Sequence, residues 1–354
     1  MTPTKLGLPT VRRDPVAPPT DMPVSGPLLD TFGRVATDLR VSLTDRCNLR
    51  CTYCMPAEGL KWLPKLDLLT AAELARVIGI AVTRLGITNV RFTGGEPLVA
   101  PILDEVIAST AALQPRPAIA LTTNGIALAG RAADLAGSGL DRVNVSLDTL
   151  DPIRYAQITR RDRLHDVIDG LAAARAAGLS PIKVNAVLDP QTGLQDAVDL
   201  LTFCLEGGYQ LRIIEQMPLD AEHHWNRSEM ITAEMVLAAL NEHFSLTSDP
   251  APRGSAPAQL WRVDGDRGTV GVIASVTKAF CGDCDRTRLT ADGQIRNCLF
   301  AADETDLRAL LRDGADDDTI ELTWRAAMWN KAAGHGINQP DFVQPSRPMS
   351  AIGG

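Results

Sequence analysis

The chain has 354 residues, 45% hydrophobic but only 4% aromatic, enough for one barrel-sized α/β domain or two ordinary domains with a Leu/Val/Ile/Ala core. Its net charge of −8 and pI near 5.2 argue against a general nucleic-acid or membrane-surface binder, so any anionic ligand needs a local cluster of Arg and Lys. No apolar window reaches bilayer-spanning length, and residues 1–27 are too Pro-rich and broken for a signal-peptide core. They read as a disordered leader. The expected compartment is the reducing cytoplasm, where cysteines do not build a disulfide framework.

In chain order, a β-branched run at 38–43 predicts the first strand. The i, i+3, i+4, i+7 pattern of Leu74, Val77, Ile78, Ala81, Val82 and Leu85 then predicts a helix over 70–85. Thr70 and Glu73 form a capping box at its start, and Gly86 stops it. Strands follow at 88–93, 118–123, 142–147, 182–188 and 210–217, alternating with helices at 101–113, 130–138, 166–177 and 194–206. Six β-then-α units imply a parallel sheet, either a partial barrel or an open doubly wound one. Polar or Gly-rich motifs end four strands: TGGEP (93–97), TTNG (122–125), SLD (146–148) and EQM (215–217). Strand ends converge at the mouth of a barrel, so the expected fold is an α/β partial (β/α)6 barrel. It spans 28–220, followed by a smaller part at 221–340 across the mouth and an extended tail at 341–354. Within that smaller part, a helix is predicted near 232–243 and short strands near 260–265 and 269–275, with helical stretches after residue 304.

Six of the seven cysteines fall into two triplets. Cys47, Cys51 and Cys54 follow the first strand, so they sit at the barrel mouth. Three thiolates on a tight loop can hold a [4Fe–4S] cube whose fourth iron stays open; the bland alternative is a zinc site with a distant fourth ligand. Cys281, Cys284 and Cys298 again supply three thiolates. They suit either a zinc ribbon completed by a residue such as His335 or a second open cluster. Arg286 and Arg288 alternate in the same loop, so both face one side, where two guanidinium forks suit a phosphate. Cys204 reads as a buried core thiol.

CNLRCTYC, with Tyr53 before the last cysteine, resembles the signature of the radical S-adenosylmethionine enzymes, and GGEP at 94–97 resembles their second-strand motif. From Phe32 to Gly354, the series FGRVATDLRVSLTDRCNLRCTYCMP, RFTGGEPL, LTTNG, NVSLD, IKVNAV, IEQMP, CGDCDRTRLTADG and terminal IGG is similar to the GTP 3′,8-cyclases, the molybdenum-cofactor biosynthesis protein A family. That resemblance implies cyclisation of GTP to (8S)-3′,8-cyclo-7,8-dihydroguanosine 5′-triphosphate, the first step of molybdenum cofactor biosynthesis. A 5′-deoxyadenosyl radical would take hydrogen from C3′.

The resemblance also implies site residues. Cys47, Cys51 and Cys54 would hold one [4Fe–4S] cluster, and Cys281, Cys284 and Cys298 a second. Tyr53, Gly95, Ser146 and Met217 would line S-adenosylmethionine, with Glu96 and Asn124 beside it. Arg40, Arg91, Thr122, Lys183, Arg286, Thr287 and Arg288 would grip GTP, with Arg286 and Arg288 acting in catalysis. The implied partners are a flavodoxin- or ferredoxin-type electron donor, a second copy in a homodimer, and cyclic pyranopterin monophosphate synthase as recipient of the product. Nucleic acid and membrane are not expected partners. Asp285 replaces the usual Asn, and Ala100 stands where a basic residue is common. The Gly353-Gly354 tail is expected to reach the arginines. Two other readings are an auxiliary-cluster radical enzyme of the peptide maturase type and a non-catalytic iron–sulfur or zinc protein.

Overall fold

The computed structural model describes residues 21–353; most of the leader expected at 1–27, together with Gly354, lies outside them. Six parallel strands form the centre: β1 (Asp38–Ser42), β2 (Asn89–Thr93), β3 (Ala118–Thr123), β4 (Arg142–Ser146), β5 (Ile182–Val187) and β6 (Gln210–Ile214). Helices α1 (Ala71–Thr83), α2 (Leu103–Ala111), α3 (Ala132–Gly137), α4 (Pro152–Thr159), α5 (Leu164–Ala176) and α6 (Gly193–Gly207) connect them. The predicted elements fall within a few residues of these bounds; α4 was not predicted. Thr70 and Glu73 close the predicted capping box on α1, at 3.2 and 2.7 Å.

The sheet is an open partial barrel. Its edges are extended by the later part of the chain, which sequence patterning did not foresee. On one side β10 (Arg286–Leu289) pairs parallel with β1, followed by antiparallel β11 (Gln294–Arg296) and β12 (Thr305–Asp306). On the other, β9 (Gly268–Ile273) pairs parallel with β6, followed by antiparallel β8 (Gln259–Val263) and β7 (Leu246–Ser248). Helix α7 (Ala233–Asn241) packs on α6. Helices α8 (Leu307–Arg312) and α9 (Asp317–Trp329) cover the other edge strands. Apolar residues such as Leu39, Val41, Val90 and Phe92 point outward into the helix layer and are fully buried, which is what stabilises a sheet wrapped by helices.

At the start of the described chain, Arg325 of α9 donates to the carbonyls of Gly26 and Pro27. At the other end the tail turns through a short helix, α10 (Met349–Ile352), instead of staying extended throughout. No helix among the described residues is long and apolar enough to cross a membrane.

Candidate active site

Period-2 alternation turns one face of every central strand into the barrel, and there the residues are polar. Asp38 and Arg40, Arg91, Thr122, Asn144 and Ser146, Lys183 and Asn185, Arg212, and Arg286 and Arg288 all line one cavity of about 530 Å³. Strand register sets them side by side. Arg40 stands between Arg91 and Arg288, Asp38 opposite Arg286, and Thr122, Asn144 and Lys183 form a row. The structure thus brings together nearly every residue carried over by resemblance.

Cys47, Cys51, Tyr53 and Cys54 line the same cavity. The three thiols are close enough that each ionised sulfur disfavours the next. With burial as the larger cause, this pushes all three upward, Cys54 to about 12. A polycationic metal core would supply the positive charge this corner lacks. Cys47 Sγ also accepts from the Leu49 amide at 3.4 Å and from Asn124 Nδ2 at 3.9 Å, the donors that tune a thiolate ligand. The residues therefore fit an iron–sulfur cluster.

Beside them lies a backbone cradle. A Cβ on Gly95 would sit 2.3 Å from the Arg46 carbonyl oxygen, so only glycine lets this loop approach the cysteine loop so closely. Glu96 lines the cavity, but its carboxylate is fully engaged. It accepts from Leu98 N, Thr123 Oγ1 and Asn124 N at 2.7–2.9 Å, tying TGGEP to TTNG. Burial nevertheless raises it to about 7. Its role is to position the two loops. Tyr53 donates to Asp148 at 2.6 Å, and Asp148, which also accepts from Val187 N, is raised by burial to about 6. Ser146 and Met217 complete this side.

The opposite side is cationic and dry. Burial is the main cause that draws Arg91 and Arg288 down to about 9 and Lys183 to about 8, with neighbouring cations adding to it. Asp38 stays below the usual carboxylate range: burial opposes ionisation, but Arg40, Arg91, Arg286 and Arg288 outweigh it. The Nε atoms of Arg40, Arg91 and Arg286 are buried without hydrogen-bond partners. Unpartnered buried donors are costly, so this wall is poised for an anion.

Arg212 belongs to this wall and was missed from sequence, as were Asp38, Asn144 and Asn185. Gly271, directly opposite Arg212, was the available signal. A Cβ there would lie 2.6 Å from Arg212 Cδ, so the mid-strand glycine makes room for the arginine. Thr287 does not line the cavity with its carried-over neighbours. Alternation turns it outward, where its fully buried hydroxyl accepts from Trp324 Nε1 at 3.0 Å.

The second triplet sits at the cavity edge, where the neighbouring Phe280 and Leu299 are lining residues. Arg34 braces it by donating to Cys281 O at 2.7 Å. Lys331 donates to Cys284 Sγ at 3.4 Å. Against the opposing effect of burial, Lys331 and Arg286 hold Cys284 below the usual thiol range, which favours the ligating thiolate. Arg286 links triplet and wall, lying 3.7 Å from Cys284 Sγ and donating to Ser255 O at 2.6 Å. Both His335 nitrogens are engaged, by Ser275 O and by the Ile337 amide, which removes it as a zinc ligand for this triplet. Asp285 accepts from Thr37 Oγ1 at 2.9 Å. Ala100 is buried outside the cavity lining, and Cys204 is buried in α6 as expected.

Residues 41–204 match the radical SAM superfamily, and residues 209–337 match the Molybdenum Cofactor Synthesis C family. The whole chain is 71% identical to a GTP 3′,8-cyclase of Mycobacterium sp. strain KMS over 354 residues, covering all of both chains. It is 69% identical to GTP 3′,8-cyclase 2 of Mycobacterium tuberculosis over 360 residues, again covering all of both. Among solved structures, Streptococcus suis SuiB bound to S-adenosylmethionine is similar in fold, with a TM-score of 0.54 at 14% identity. That match covers 83% of this chain and 69% of SuiB.

Proposed function

The chain belongs to the GTP 3′,8-cyclase family of radical S-adenosylmethionine enzymes, and on that premise we propose how its cavity divides the reaction between two walls. The enzyme cyclises GTP to 3′,8-cyclo-7,8-dihydro-GTP, the first step of molybdenum cofactor biosynthesis. Cys47, Cys51 and Cys54 hold the iron–sulfur cluster. Tyr53, Gly95, Ser146 and Met217 border S-adenosylmethionine, with Asn124 and Glu96 fixing the loops behind it. When bound, cluster and S-adenosylmethionine supply the 5′-deoxyadenosyl radical that removes hydrogen from C3′ of GTP.

On the other wall Arg40, Arg91, Lys183, Arg286 and Arg288 receive the triphosphate, joined by Arg212. The side chains of Asn144 and Thr122 are left for the sugar and base. The observation that carries this reading is the convergence of six cations on the cavity that contains the first triplet, in a chain of net charge −8. Fixed guanidinium groups in a water-poor site bind a polyanion and hold its ribose at one distance from the radical source. Water exclusion also protects a radical intermediate. Cys281, Cys284 and Cys298 are assigned a second [4Fe–4S] cluster, whose open iron would meet the purine. The remaining assignments are a cytoplasmic homodimer, fed by a flavodoxin- or ferredoxin-type donor and releasing product to cyclic pyranopterin monophosphate synthase.

Anaerobic incubation of the reconstituted protein with GTP, S-adenosylmethionine and dithionite tests the reading. It predicts 5′-deoxyadenosine and a cyclised nucleotide in equal amounts. Formation of 5′-deoxyadenosine with no nucleotide product would reject GTP as the substrate.

A further inference from the structure

The outer face of the first cysteine loop carries cations that the chain leaves without acidic partners. Elsewhere arginines are mostly paired: Arg76 with Asp317, Arg116 with Asp141, Arg131 with Asp104, Arg312 with Glu73. Segments 46–65 and 158–163 instead hold seven Lys and Arg against two acids, Glu58 and Asp162, in a chain whose totals are 35 and 43. Arg163 is engaged by Asp166. Arg46, Arg50, Lys61, Arg160 and Arg161 have no ion-pair partner among the described residues.

The two segments form one surface. The amides of Arg50 and Thr52 donate to the carbonyls of Thr159 and Ile158, at 3.1 and 3.0 Å. Arg160, in a left-handed conformation at the end of α4, reaches back to the carbonyls of Arg50 and Met55, both at 2.9 Å. The Arg50 guanidinium lies 5.3 Å over the Trp62 ring, next to Lys61. Within this basic frame the loop is thin: Asn48 and Thr52 are exposed, and the flanking Cys47 and Cys51 are half-buried. Unpaired like charges repel one another, and an acidic chain has carboxylates to pair with them elsewhere. The cations are concentrated where an electron has the shortest path to the thiols.

We propose that this face docks an acidic one-electron carrier protein of the flavodoxin or ferredoxin class. The carrier gives one electron to the metal site held by Cys47, Cys51 and Cys54 and leaves oxidised by one electron. The proposal rests on the function proposed above. Complementary charge would orient the encounter and make it salt-dependent.

The test uses the holoenzyme and a Lys61→Glu/Arg161→Glu double variant. Neither side chain lines the cavity, and Arg161 donates only to the neighbouring Arg160 carbonyl. Each protein is titrated with a fluorescently labelled bacterial flavodoxin at low and high salt, and turnover is measured separately with dithionite. Wild type should bind, more weakly as salt rises. The double variant should bind about tenfold more weakly at low salt, with dithionite turnover unchanged. No binding by wild type, or equal binding by both, overturns the proposal. So does a loss of binding to duplex DNA or anionic vesicles with flavodoxin binding intact. A wild type that makes no cyclised nucleotide with dithionite would defeat the reaction assignment instead, and binding would still decide the docking face.

Discussion

The Arg288 guanidinium donates a hydrogen bond to the backbone carbonyl of Gly353, joining the basic wall of the cavity to the end of the chain. Ser42 Oγ reaches the preceding carbonyl, of Ile352, at 3.0 Å. The tail therefore enters the site between β1 and β10, and its approach depends on glycine. Gly353 has φ +85°, and a Cβ there would lie 2.2 Å from Ser42 Oγ.

Gly353→Ala should accordingly displace the tail. The left-handed backbone alone costs a non-glycine residue about 1–2 kcal/mol, and the clash adds to it. We expect cyclisation to fall by at least about tenfold, with S-adenosylmethionine cleavage continuing uncoupled. Full coupled turnover by this variant, or by a chain lacking both terminal glycines, would show that the tail is a bystander.

Arg347 seats that tail from outside the cavity. It pairs bidentately with Asp292 at 3.0 and 2.8 Å and with Glu304 at 2.7–2.8 Å, while Gln344 holds Asp220 O at 2.6 Å. As a positioning residue, its replacement in Arg347→Ala should lower kcat and leave the KM for S-adenosylmethionine in place, with partial recovery in Arg347→Lys. Equal kinetics for Arg347→Ala and wild type would contradict the assignment.

Lys183 gives the site a pH dependence. Burial lowers it to about 8, so its charge is present below that pH and lost as pH rises through it. GTP affinity of the protein without triphosphate should therefore weaken from pH 7 to 9, and Lys183→Arg should flatten the profile. In the ligand-free protein the sign is reversed. The unfolded chain binds the extra proton between about 8 and the ordinary lysine value, so stability contributed by Lys183 rises across that interval. An affinity profile identical in both proteins would remove Lys183 from the anion site.

Glu96 provides a folding test. Its folded value of about 7 exceeds the model value of 4.5, so its contribution is complete below the unfolded value and is lost as pH rises through about 7. The Tm difference between wild type and Glu96→Gln should shift against wild type across that range. A difference flat from pH 4.5 to 7.5 would mean that Glu96 is already ionised when folded.

Metal content addresses the two triplets. Wild type should carry about eight irons and Cys298→Ala about four, on the stoichiometry of cubane clusters. Stoichiometric zinc in wild type would replace the second cluster with a structural site.

Much of this was legible in sequence because strands and helices advertise their periods. The ends of β1 to β6 fall within a few residues of the apolar runs, and polar residues inside those runs mark the cavity. What stayed hidden depends on long-range pairing. Nothing local says that β10 joins β1, which is what aligns Arg288 with Arg40, or that Lys331 and Arg34 reach the second cysteine loop from distant segments. Arg212 was overlooked because a lone cation in QLRII looks like a solvated position until Gly271 is known to face it. Thr287 was carried along with its arginines although strand alternation turns it outward.

The claim that one cavity holds radical source and GTP together is tested most directly by isotope transfer. With GTP deuterated at C3′, the account predicts 5′-deoxyadenosine one mass unit heavier, formed together with cyclised nucleotide. Unlabelled 5′-deoxyadenosine at the same yield would contradict it.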